Sequence, residues 1–409
     1  MPESRQSLEG KTSGSTDKFT IVSCSVEPFE GPWLAHQPLM NQMSLNGHRV
    51  AYVLQEKTVD EAVLAMVKGG SWRGRVRPIQ RGLFEVTPGL LYPRIYRSGA
   101  LDEISTRLRA AALRRILSRV APGRRILYLW NPHFAPLIGQ VGEELSVFHC
   151  HDYYPAFYRE GSSERRVIER KFWKTVERAD IVLATSDALY DQIRSRRTVG
   201  VHLLENGVDF DRIRGGVDEA VPEELRGLPH PIVAYVGRVN RKVDIDALVD
   251  IAQRRPKWSV VLMGPRTGWP RECEERFKNF CELPNTRYIE GQTPSRLPAY
   301  MGAIDVGLMN YVTEGTWTSF GFPLKMLEYF ALGKPAVGTE LPSLRKYQDI
   351  AKLVPEDGDW VAAVEEVWTN DTPQMRNKRI AFARERDWSE RARSVENFLA
   401  EALEQKSGR

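Results

Sequence analysis

Short apolar runs and amphipathic stretches alternate along most of the chain. Residues 19–25 form a strand-like run, a loop rich in Gly and Pro follows, and residues 35–45 have a helical pattern. A turn at 46–49 leads into a second apolar run at 50–54. This order of strand, loop, helix, turn and strand is typical of the start of a doubly wound parallel sheet. Further strands are predicted at 126–130, 145–150, 181–185, 232–236, 259–263, 286–289, 306–309 and 336–339.

The strands fall into two series, which predicts two α/β domains. A chain of 409 residues is too long for one ordinary core, and a loop-rich, acidic segment separates the two series. We predict a disordered tail at 1–17, an N-terminal domain at 18–207, a C-terminal domain at 208–380 and a terminal helical segment at 381–409. Two Rossmann-like domains of this kind face each other across a central cleft, where ligands bind at the carboxyl ends of the strands.

The segment 322–337 has the most informative local pattern. Pro323 is placed like the first residue of a helix, which Gly333 and Pro335 end. Lys325 therefore falls in the first turn, where the helix dipole already attracts an anion and a lysine is locally unfavourable by about 0.3–1 kcal/mol. Its position makes sense if a phosphate group lies in front of the helix.

Glu328 lies one turn further along the same face of this predicted helix. A carboxylate at this position can accept hydrogen bonds from sugar hydroxyls. Lys325 and Glu328 together therefore indicate a nucleotide-sugar site. The alternative is an ordinary amphipathic helix that packs under a sheet while both charged side chains are solvated.

The positive charge of the chain is concentrated in one stretch. Residues 68–125 contain fourteen Lys and Arg against three acidic residues, although the net charge of the whole chain is only +5. Aromatic and aliphatic residues are interleaved with these basic residues. Such a mixture suits the anionic surface of a membrane. A solvated face over a core is an alternative, and nucleic acid, the least favoured partner, is not expected.

The composition is that of a globular protein, with 42% hydrophobic and 27% charged residues. We find neither a run of eighteen apolar residues nor an apolar signal-peptide core. The four cysteines do not have the spacing of metal ligands. We therefore expect a reduced, cytoplasmic protein that is membrane-associated only peripherally, on the inner face of the cell membrane.

His151 and Asp152 directly follow the predicted strand at 145–150. They should project from its carboxyl end into the cleft. A carboxylate or imidazole there can remove the proton from an attacking hydroxyl, and we rank Asp152 first and His151 second for this role. The alternative is that Asp152 caps the following turn while the histidines hold loop carbonyls. A metal site is not expected, because no third ligand is apparent near His149 and His151.

Eight short motifs occur in order along the chain, at 47–50, 185–186, 204–209, 235–238, 297–300, 305–308, 323–335 and 388–392. Together they resemble the motifs of GT-B glycosyltransferases, which act on nucleotide sugars. The resemblance covers roughly residues 19–400, and its specificity lies in the ordered set. It implies two Rossmann-like domains, a donor held by the C-terminal domain and a C-terminal helix that returns to the N-terminal domain.

Two departures separate this chain from the large retaining family that contains glycogen and sucrose synthases. That family has a glutamate eight residues before the equivalent of Glu328, where this chain has Phe320. Glu314 could take that role, although nothing in the spacing requires it. The family also holds the diphosphate with an Arg and a Lys six residues apart, whereas here Lys242 follows Arg238 by only four.

The pattern of Leu324, Lys325 and Glu328 without the earlier glutamate resembles that of two groups of enzymes. These are the xanthan-type, membrane-associated inverting glucuronosyltransferases and the teichuronic-acid biosynthesis glycosyltransferases. This resemblance implies inverting transfer with Asp152 as the base. Arg238 and Lys325 would hold the diphosphate, and Glu328 would accept the ribose hydroxyls. The residues expected to bind the donor are Arg238, Lys242, Met263, Gly264, Thr318, Ser319, Leu324, Lys325 and Glu328.

The loop after the first strand should face the acceptor, with Glu30, Trp33 and His36 as candidate contacts, although such a loop can also be a plain connection. No cofactor or metal is expected, because cationic side chains can serve the diphosphate. We expect a hexosyl- or glucuronosyltransferase that uses a UDP-sugar and a lipid-linked or polysaccharide acceptor in exopolysaccharide or cell-wall biosynthesis. The alternatives are a retaining enzyme of the same fold and a non-catalytic nucleotide- or sugar-binding protein.

Overall fold

A computed structural model describes residues 18–30, 33–55, 57, 59–67, 74–87, 89, 99–268, 271–313 and 317–408. The tail predicted at 1–17 lies outside the described residues, as do 68–73 and 90–98 of the basic stretch. Within the described residues the strands form two sheets, one of eight strands and one of six.

The first sheet organises the N-terminal domain. Its elements in chain order are β1 (Thr20–Ser25), α1 (His36–Leu45), β2 (Arg49–Leu54), α2 (Val59–Val67), β3 (Arg75–Gln80), β4 (Leu83–Thr87), α3 (Gly99–Val120), β5 (Arg125–Leu129), β6 (Leu145–Cys150), α4 (Ser163–Arg178), β7 (Ile181–Ala184), α5 (Asp187–Arg194) and β8 (Val201–Leu203). The strand order is β3-β4-β2-β1-β5-β6-β7-β8. The chain thus winds outward from β1 in both directions, as in a doubly wound fold.

The second sheet organises the C-terminal domain in the same way. Its elements are α6 (Phe210–Arg214), β9 (Ile232–Val236), α7 (Ile245–Arg254), β10 (Ser259–Met263), α8 (Glu274–Glu282), β11 (Thr286–Ile289), α9 (Leu297–Ala303), β12 (Val306–Met309), α10 (Leu324–Ala331), β13 (Ala336–Thr339), β14 (Lys352–Val354), α11 (Trp360–Thr369), α12 (Pro373–Arg384) and α13 (Trp388–Ser407). The strand order is β11-β10-β9-β12-β13-β14, and all of the pairings are parallel.

Continuous apolar runs form the central strands because parallel sheets are covered by helices on both faces. Every residue of β1, β6 and β9 is buried. The prediction of an α/β protein with two doubly wound Rossmann-like domains is confirmed. No helix among the described residues combines the length and apolarity needed to cross a bilayer.

The edge of the first sheet was not predicted. Strands β3 and β4 pair antiparallel, with an irregular register between Pro78 and Gln80. Arginines alternate with other residues in β3, which is only partly buried, and a proline is tolerated there because the strand lies at the edge. Part of the basic stretch 68–125 is therefore a sheet edge.

The terminal helix α13 packs against the N-terminal domain. Its residues Trp388, Ala392 and Val395 belong to the same buried cluster as residues of β1 and α1. Nε2 of His48 lies 2.8 Å from Oε1 of Glu396, which anchors the middle of the helix. The end of the chain therefore connects the two domains a second time.

Candidate active site

Helix α10 begins one residue later than the sequence pattern suggested. Pro323 is the residue before the helix, with an extended backbone (φ −69°, ψ 115°), and Leu324 is its first residue. Lys325 remains in the first turn, and its side chain is buried. Burial lowers the pKa of the Lys325 ammonium well below its usual value, and the nearby charge of Lys242 lowers it further.

The ammonium of Lys325 lies against two tyrosine rings. Its Nζ is 3.3 Å from the ring centroid of Tyr235 on β9 and 5.5 Å from that of Tyr311, which follows β12. Within the described part of the chain, this Nζ has no hydrogen-bond partner. Gly237 permits the arrangement, because a Cβ at that position would lie 2.7 Å from Nζ. A buried cation without a hydrogen-bond acceptor is costly, so an anionic ligand in front of α10 would stabilise it.

The loop after β9 adds two more cations. Nη2 of Arg238 is 3.2 Å from Oε1 of Glu27, which follows β1 in the opposite domain. Nζ of Lys242 is 5.4 Å from the ring centroid of Tyr311. Burial lowers the pKa of Lys242, while the carboxylate of Asp152 opposes this change. Together with the lysine of α10, these side chains place three basic groups on one side of the cleft.

Asp152 lies just beyond the carboxyl end of β6. Its side chain is 23% exposed, and its Oδ2 is 3.6 Å from Nε2 of His151. Burial raises the pKa of Asp152 to about 7, although the charge of Lys242 opposes the rise. A carboxylate with a pKa near neutrality is suited to general-base catalysis. Because Lys242 interacts electrostatically with both Asp152 and Lys325, the two predicted halves of the site share one cleft.

Histidines surround Trp130 on the N-terminal side. The ring of His36 lies 4.3 Å from that of Trp130 and 4.9 Å from that of His151, and His149 stacks on Trp130 at 4.5 Å. Burial lowers the pKa of His151 to about 4 and that of His149 to about 3. These two rings are therefore neutral at pH 7. Among the described residues, no group of three or more His, Cys, Asp or Glu side chains is arranged to hold a metal ion.

Glu328 lies on α10, where the charge of Arg212 affects it, and Arg212 makes a second contact across the cleft. Burial raises the pKa of Glu328, while the charges of Arg212 and Lys325 oppose the rise. The guanidinium of Arg212 on α6 is 5.8 Å from the ring centroid of Trp33, which belongs to the loop after β1. Nε of Arg212 also donates to Oδ2 of Asp209 at 2.6 Å. Arg212 therefore contacts the expected acceptor loop and also affects the pKa of Glu328.

Met263 and Gly264 lie at the end of β10. The side chain of Met263 packs in the C-terminal hydrophobic core and is 2% exposed. The backbone N–H of Gly264 donates to the carbonyl of Ile289 at 2.9 Å. A Cβ on Gly264 would lie 1.9 Å from the carbonyl oxygen of Gly237. Only a glycine therefore allows this segment to approach the loop that carries the donor-side cations.

The other expected donor residues lie in or next to the loop before α10. The hydroxyl of Thr318 donates to the carbonyl of Val312 at 3.0 Å, and Ser319 is half-buried. Leu324 packs against the core of the N-terminal domain, so it contacts the opposite wall of the cleft. Glu314 lies outside the described residues.

The three expected acceptor contacts differ in their surroundings. Trp33 and His36 contact residues of the cleft, as described above. Glu30 instead forms an ion pair with Arg77 of β3 and is 72% exposed. The same arginine contacts Glu85 at 3.0 Å. Glu30 therefore contacts the edge strand β3 of the N-terminal sheet.

Phe320 occupies the position where the retaining family has a glutamate. Its ring centroid is 4.8 Å from that of Tyr153 in the N-terminal domain. Its carbonyl accepts a hydrogen bond from Oγ of Ser186 at 2.6 Å. The residue thus holds the two domains together by packing and supplies no carboxylate.

Several residues of the cleft were not identified from the sequence. Tyr235 and Tyr311 lie within or beside apolar strands, so their pattern is that of core residues. Arg212 has no distinguishing local signal. Glu27 could have been identified from the sequence, because it is an acidic residue in the Gly- and Pro-rich loop that follows the first strand.

Comparison with known proteins shows which sequences resemble this chain. Residues 230–370 match the family described as glycosyl transferases group 1. The Bacillus subtilis (strain 168) protein TuaH, assigned as a teichuronic acid biosynthesis glycosyltransferase, is 26% identical over 366 residues, which are 85% of this chain and 91% of TuaH.

Solved structures show the same fold at low sequence identity. The Escherichia coli trehalose-6-phosphate protein bound with UDP-2-fluoro glucose has a TM-score of 0.67 at 12% identity and covers 95% of this chain and 99% of its own. Anabaena HepE in complex with UDP-glucose has a TM-score of 0.65 at 13% identity, with 93% and 99% covered. The chain is therefore a glycosyltransferase with the GT-B fold, and its residues 230–370 match the glycosyl transferases group 1 family.

Proposed function

We propose that the protein transfers a sugar from a UDP-linked donor to a hydroxyl of a lipid-linked or polysaccharide acceptor, with inversion at the anomeric carbon. The observation that supports this most directly is the shared cleft. Asp152 of one domain and Lys325 of the other both interact electrostatically with Lys242. A base and an anion-binding group must lie within one cleft for such a transfer.

The cationic side of the cleft would bind the diphosphate. Arg238, Lys242 and Lys325 would stabilise the negative charge that develops on UDP as the bond between the anomeric carbon and the diphosphate oxygen breaks. Asp152 would take the proton of the acceptor hydroxyl while its oxygen forms the new bond to the anomeric carbon. Glu328 would accept hydrogen bonds from the ribose hydroxyls. The UDP-sugar complexes of two proteins with the same fold support this choice of donor.

The inverting course is supported by Phe320, because that position offers no carboxylate to the donor sugar. A retaining enzyme of the same fold remains the competing proposal. Proton NMR of the product distinguishes the two. An α-linked UDP-sugar should give a β-linked product, and an α-linked product would refute inversion.

The role of Asp152 is tested by Asp152→Asn, which keeps the shape of the side chain. We expect turnover to fall by about 10²–10⁴-fold, while UDP binds with nearly unchanged affinity. Asp191→Asn, an exposed aspartate on α5, is the matched control and should retain full activity. Substantial turnover in Asp152→Asn would show that another group acts as the base.

We also propose that these cations serve the diphosphate without a divalent metal. Turnover of the UDP-sugar should then be unchanged when EDTA is added to the protein. A loss that Mg²⁺ or Mn²⁺ restores would contradict this part of the proposal.

The setting we propose is the assembly of exopolysaccharide or cell-wall polymer at the inner face of the membrane. The name of the B. subtilis relative supports a cell-wall polymer. Helix α2 exposes Val63, Leu64 and Val67, at 54%, 56% and 81%, and α3 exposes Ile104 and Leu108. These apolar side chains lie within or beside the basic stretch 68–125, and this combination suits an anionic membrane surface.

Vesicle cosedimentation tests the membrane proposal. Binding to vesicles that contain phosphatidylglycerol should exceed binding to pure phosphatidylcholine vesicles, and the double change Leu64→Glu and Val67→Glu should weaken it. Leu45→Glu is the matched control, since Leu45 is 65% exposed on α1. Equal binding of all three proteins would refute the role of α2.

A further inference from the structure

We propose that Tyr235 is a positioning residue of the donor site. Its ring holds the ammonium of Lys325 in front of α10, and its hydroxyl holds the backbone of Arg238. One buried side chain thereby prepares two cations for a nucleoside diphosphate. This inference rests on the donor site proposed above and adds a residue to it.

The geometry of Tyr235 supports both contacts. It lies on the central strand β9 and is 0% exposed. Nζ of Lys325 is 3.3 Å from its ring centroid, which is well inside the range of a cation–π contact. Its hydroxyl donates to the carbonyl oxygen of Arg238 at 3.0 Å. The ring and the hydroxyl therefore contact the two residues expected to bind the diphosphate.

An aromatic face suits this role better than a carboxylate. A carboxylate would neutralise the ammonium of Lys325 and compete with the diphosphate for its N–H donors. The face of Tyr235 attracts the cation but accepts no strong hydrogen bond from it. This agrees with the absence of a hydrogen-bond partner for Nζ within the described residues. The lysine is thus fixed in place and its donors stay available.

The surrounding charges explain why Lys325 needs this support. Burial and the charge of Lys242, from the loop after β9, disfavour its protonated form, and Glu328 on its own helix favours that form. Tyr311, which follows β12, lies 5.5 Å from Nζ and 5.4 Å from Nζ of Lys242. Tyr235 is the closer of the two rings by about two ångströms. It should therefore contribute more to keeping the lysine charged.

A series of fluorinated phenylalanines at position 235 tests the ring contact. Phenylalanine and its 4-fluoro, 3,5-difluoro and 3,4,5-trifluoro forms have nearly the same shape, but each fluorine weakens the attraction for a cation. The UDP dissociation constant would be measured by calorimetry for each protein, at pH 8. The same series would be made in two backgrounds, one with the natural Lys325 and one that also carries Lys325→Ala.

We expect UDP affinity to fall progressively along the series, by about tenfold in total, and to be constant along the series when Lys325→Ala is present. Tyr235→Phe itself should weaken UDP by about fivefold in both backgrounds, because the Arg238 carbonyl loses its donor. If the ring had a purely structural role, fluorination would change UDP affinity equally in the two backgrounds. Affinity that does not change with fluorination would overturn the inference, whereas Lys325→Ala without any effect would instead refute the donor site.

Discussion

Burial shifts the pKa values of the ionisable groups in the cleft and so sets which of them are charged at neutral pH. Asp152 is a carboxyl whose pKa is raised to about 7 by burial, and the neighbouring His151 has its pKa lowered to about 4. At pH 7 the histidine is therefore neutral while the carboxyl changes between its two forms. The pH dependence of the transfer rate should therefore follow the titration of Asp152.

The first prediction at this scale concerns the pH dependence of transfer. Only the ionised form of Asp152 can accept a proton, so kcat/KM should rise with pH and level off above about pH 7. Lys242→Met removes the charge that opposes the raised pKa, and should move the inflection to higher pH. An inflection near pH 4, or a rate independent of pH between 5 and 8, would contradict the assignment of the base.

The second prediction concerns stability. The carboxyl of Asp152 binds its proton more tightly in the native state than in the unfolded chain, since its pKa rises from 3.8 to about 7. The native state therefore loses stability as the pH rises from about 4 to about 7. Asp152→Asn removes this loss, so its Tm relative to the natural protein should be higher at pH 8 than at pH 5. A Tm difference independent of pH would contradict the raised pKa.

Sequence patterns led to Asp152 because it follows a buried strand that ends at the cleft, and to Lys325 because a lysine in the first turn of a helix is locally unfavourable. Tyr235 could not be identified in this way. Its strand is apolar on both faces, so a tyrosine there looks like any core residue. Its partner is ninety residues away in sequence, and only the folded structure shows the contact.

The loop after β1 is the element that connects the two sides of the cleft. Glu27 pairs with Arg238 at 3.2 Å, with side chains that are 27% and 32% exposed. A carboxylate at this position competes with a diphosphate for the guanidinium. We therefore expect the loop to oppose donor binding while the ion pair is intact.

We predict that Glu27→Gln binds UDP about two- to fivefold more tightly, because a partly exposed ion pair contributes up to about 1 kcal/mol. Isothermal titration calorimetry measures this directly. Glu30→Gln is the matched control, since Glu30 lies on the same loop but pairs with Arg77 of its own domain. Weaker binding by Glu27→Gln would show that Glu27 assists the donor.

The elements that the sequence predicted well are those buried on both faces, such as β6 and β9, because burial requires a continuous apolar run. The edge strand β3 and its neighbour β4 were missed for the opposite reason. Arg75 and Arg77 alternate with Val76 and Pro78 on β3, and no residue of this strand is fully buried. A stretch with so many basic residues looked like surface rather than like a strand.

The two domains are joined at the level of the whole molecule by a cluster around Glu205. This residue follows β8, and its carboxylate accepts hydrogen bonds from the hydroxyl of Tyr347 at 2.5 and 2.7 Å. Nζ of Lys346 lies 2.6 Å from it, and Nε of Arg386 lies 3.5 Å away. Three C-terminal residues thus converge on one carboxylate at the domain junction.

We predict that Glu205→Ala lowers the free energy of unfolding by roughly 1–3 kcal/mol, because the buried hydroxyl of Tyr347 loses its acceptor and Lys346 and Arg386 lose their carboxylate. Urea unfolding followed by circular dichroism measures the change. Glu366→Ala is the control, since its pair with Lys352 is exposed and should contribute less than about 1 kcal/mol. Equal effects of the two changes would show that the junction depends on packing alone.

The sequence predicted two domains and the cleft between them, but not the contacts that set their arrangement. Glu27 with Arg238, and Glu205 with Tyr347, are separated by more than a hundred residues. No local pattern indicates such pairs. The resemblance to GT-B enzymes predicted that the two domains face each other. Only the structure shows which residues pair between them.

The central claim is that one cleft binds a nucleoside diphosphate through Lys325 and activates an acceptor through Asp152. Calorimetric titration of UDP into the natural protein, Lys325→Ala and Asp152→Asn tests it most directly. We predict that Lys325→Ala weakens UDP binding by about tenfold or more, since hydrogen bonds to a charged group contribute about 1.5–3 kcal/mol. Asp152→Asn should bind UDP within about twofold of the natural protein, because the base does not contact the diphosphate. Unchanged UDP affinity in Lys325→Ala would contradict the account.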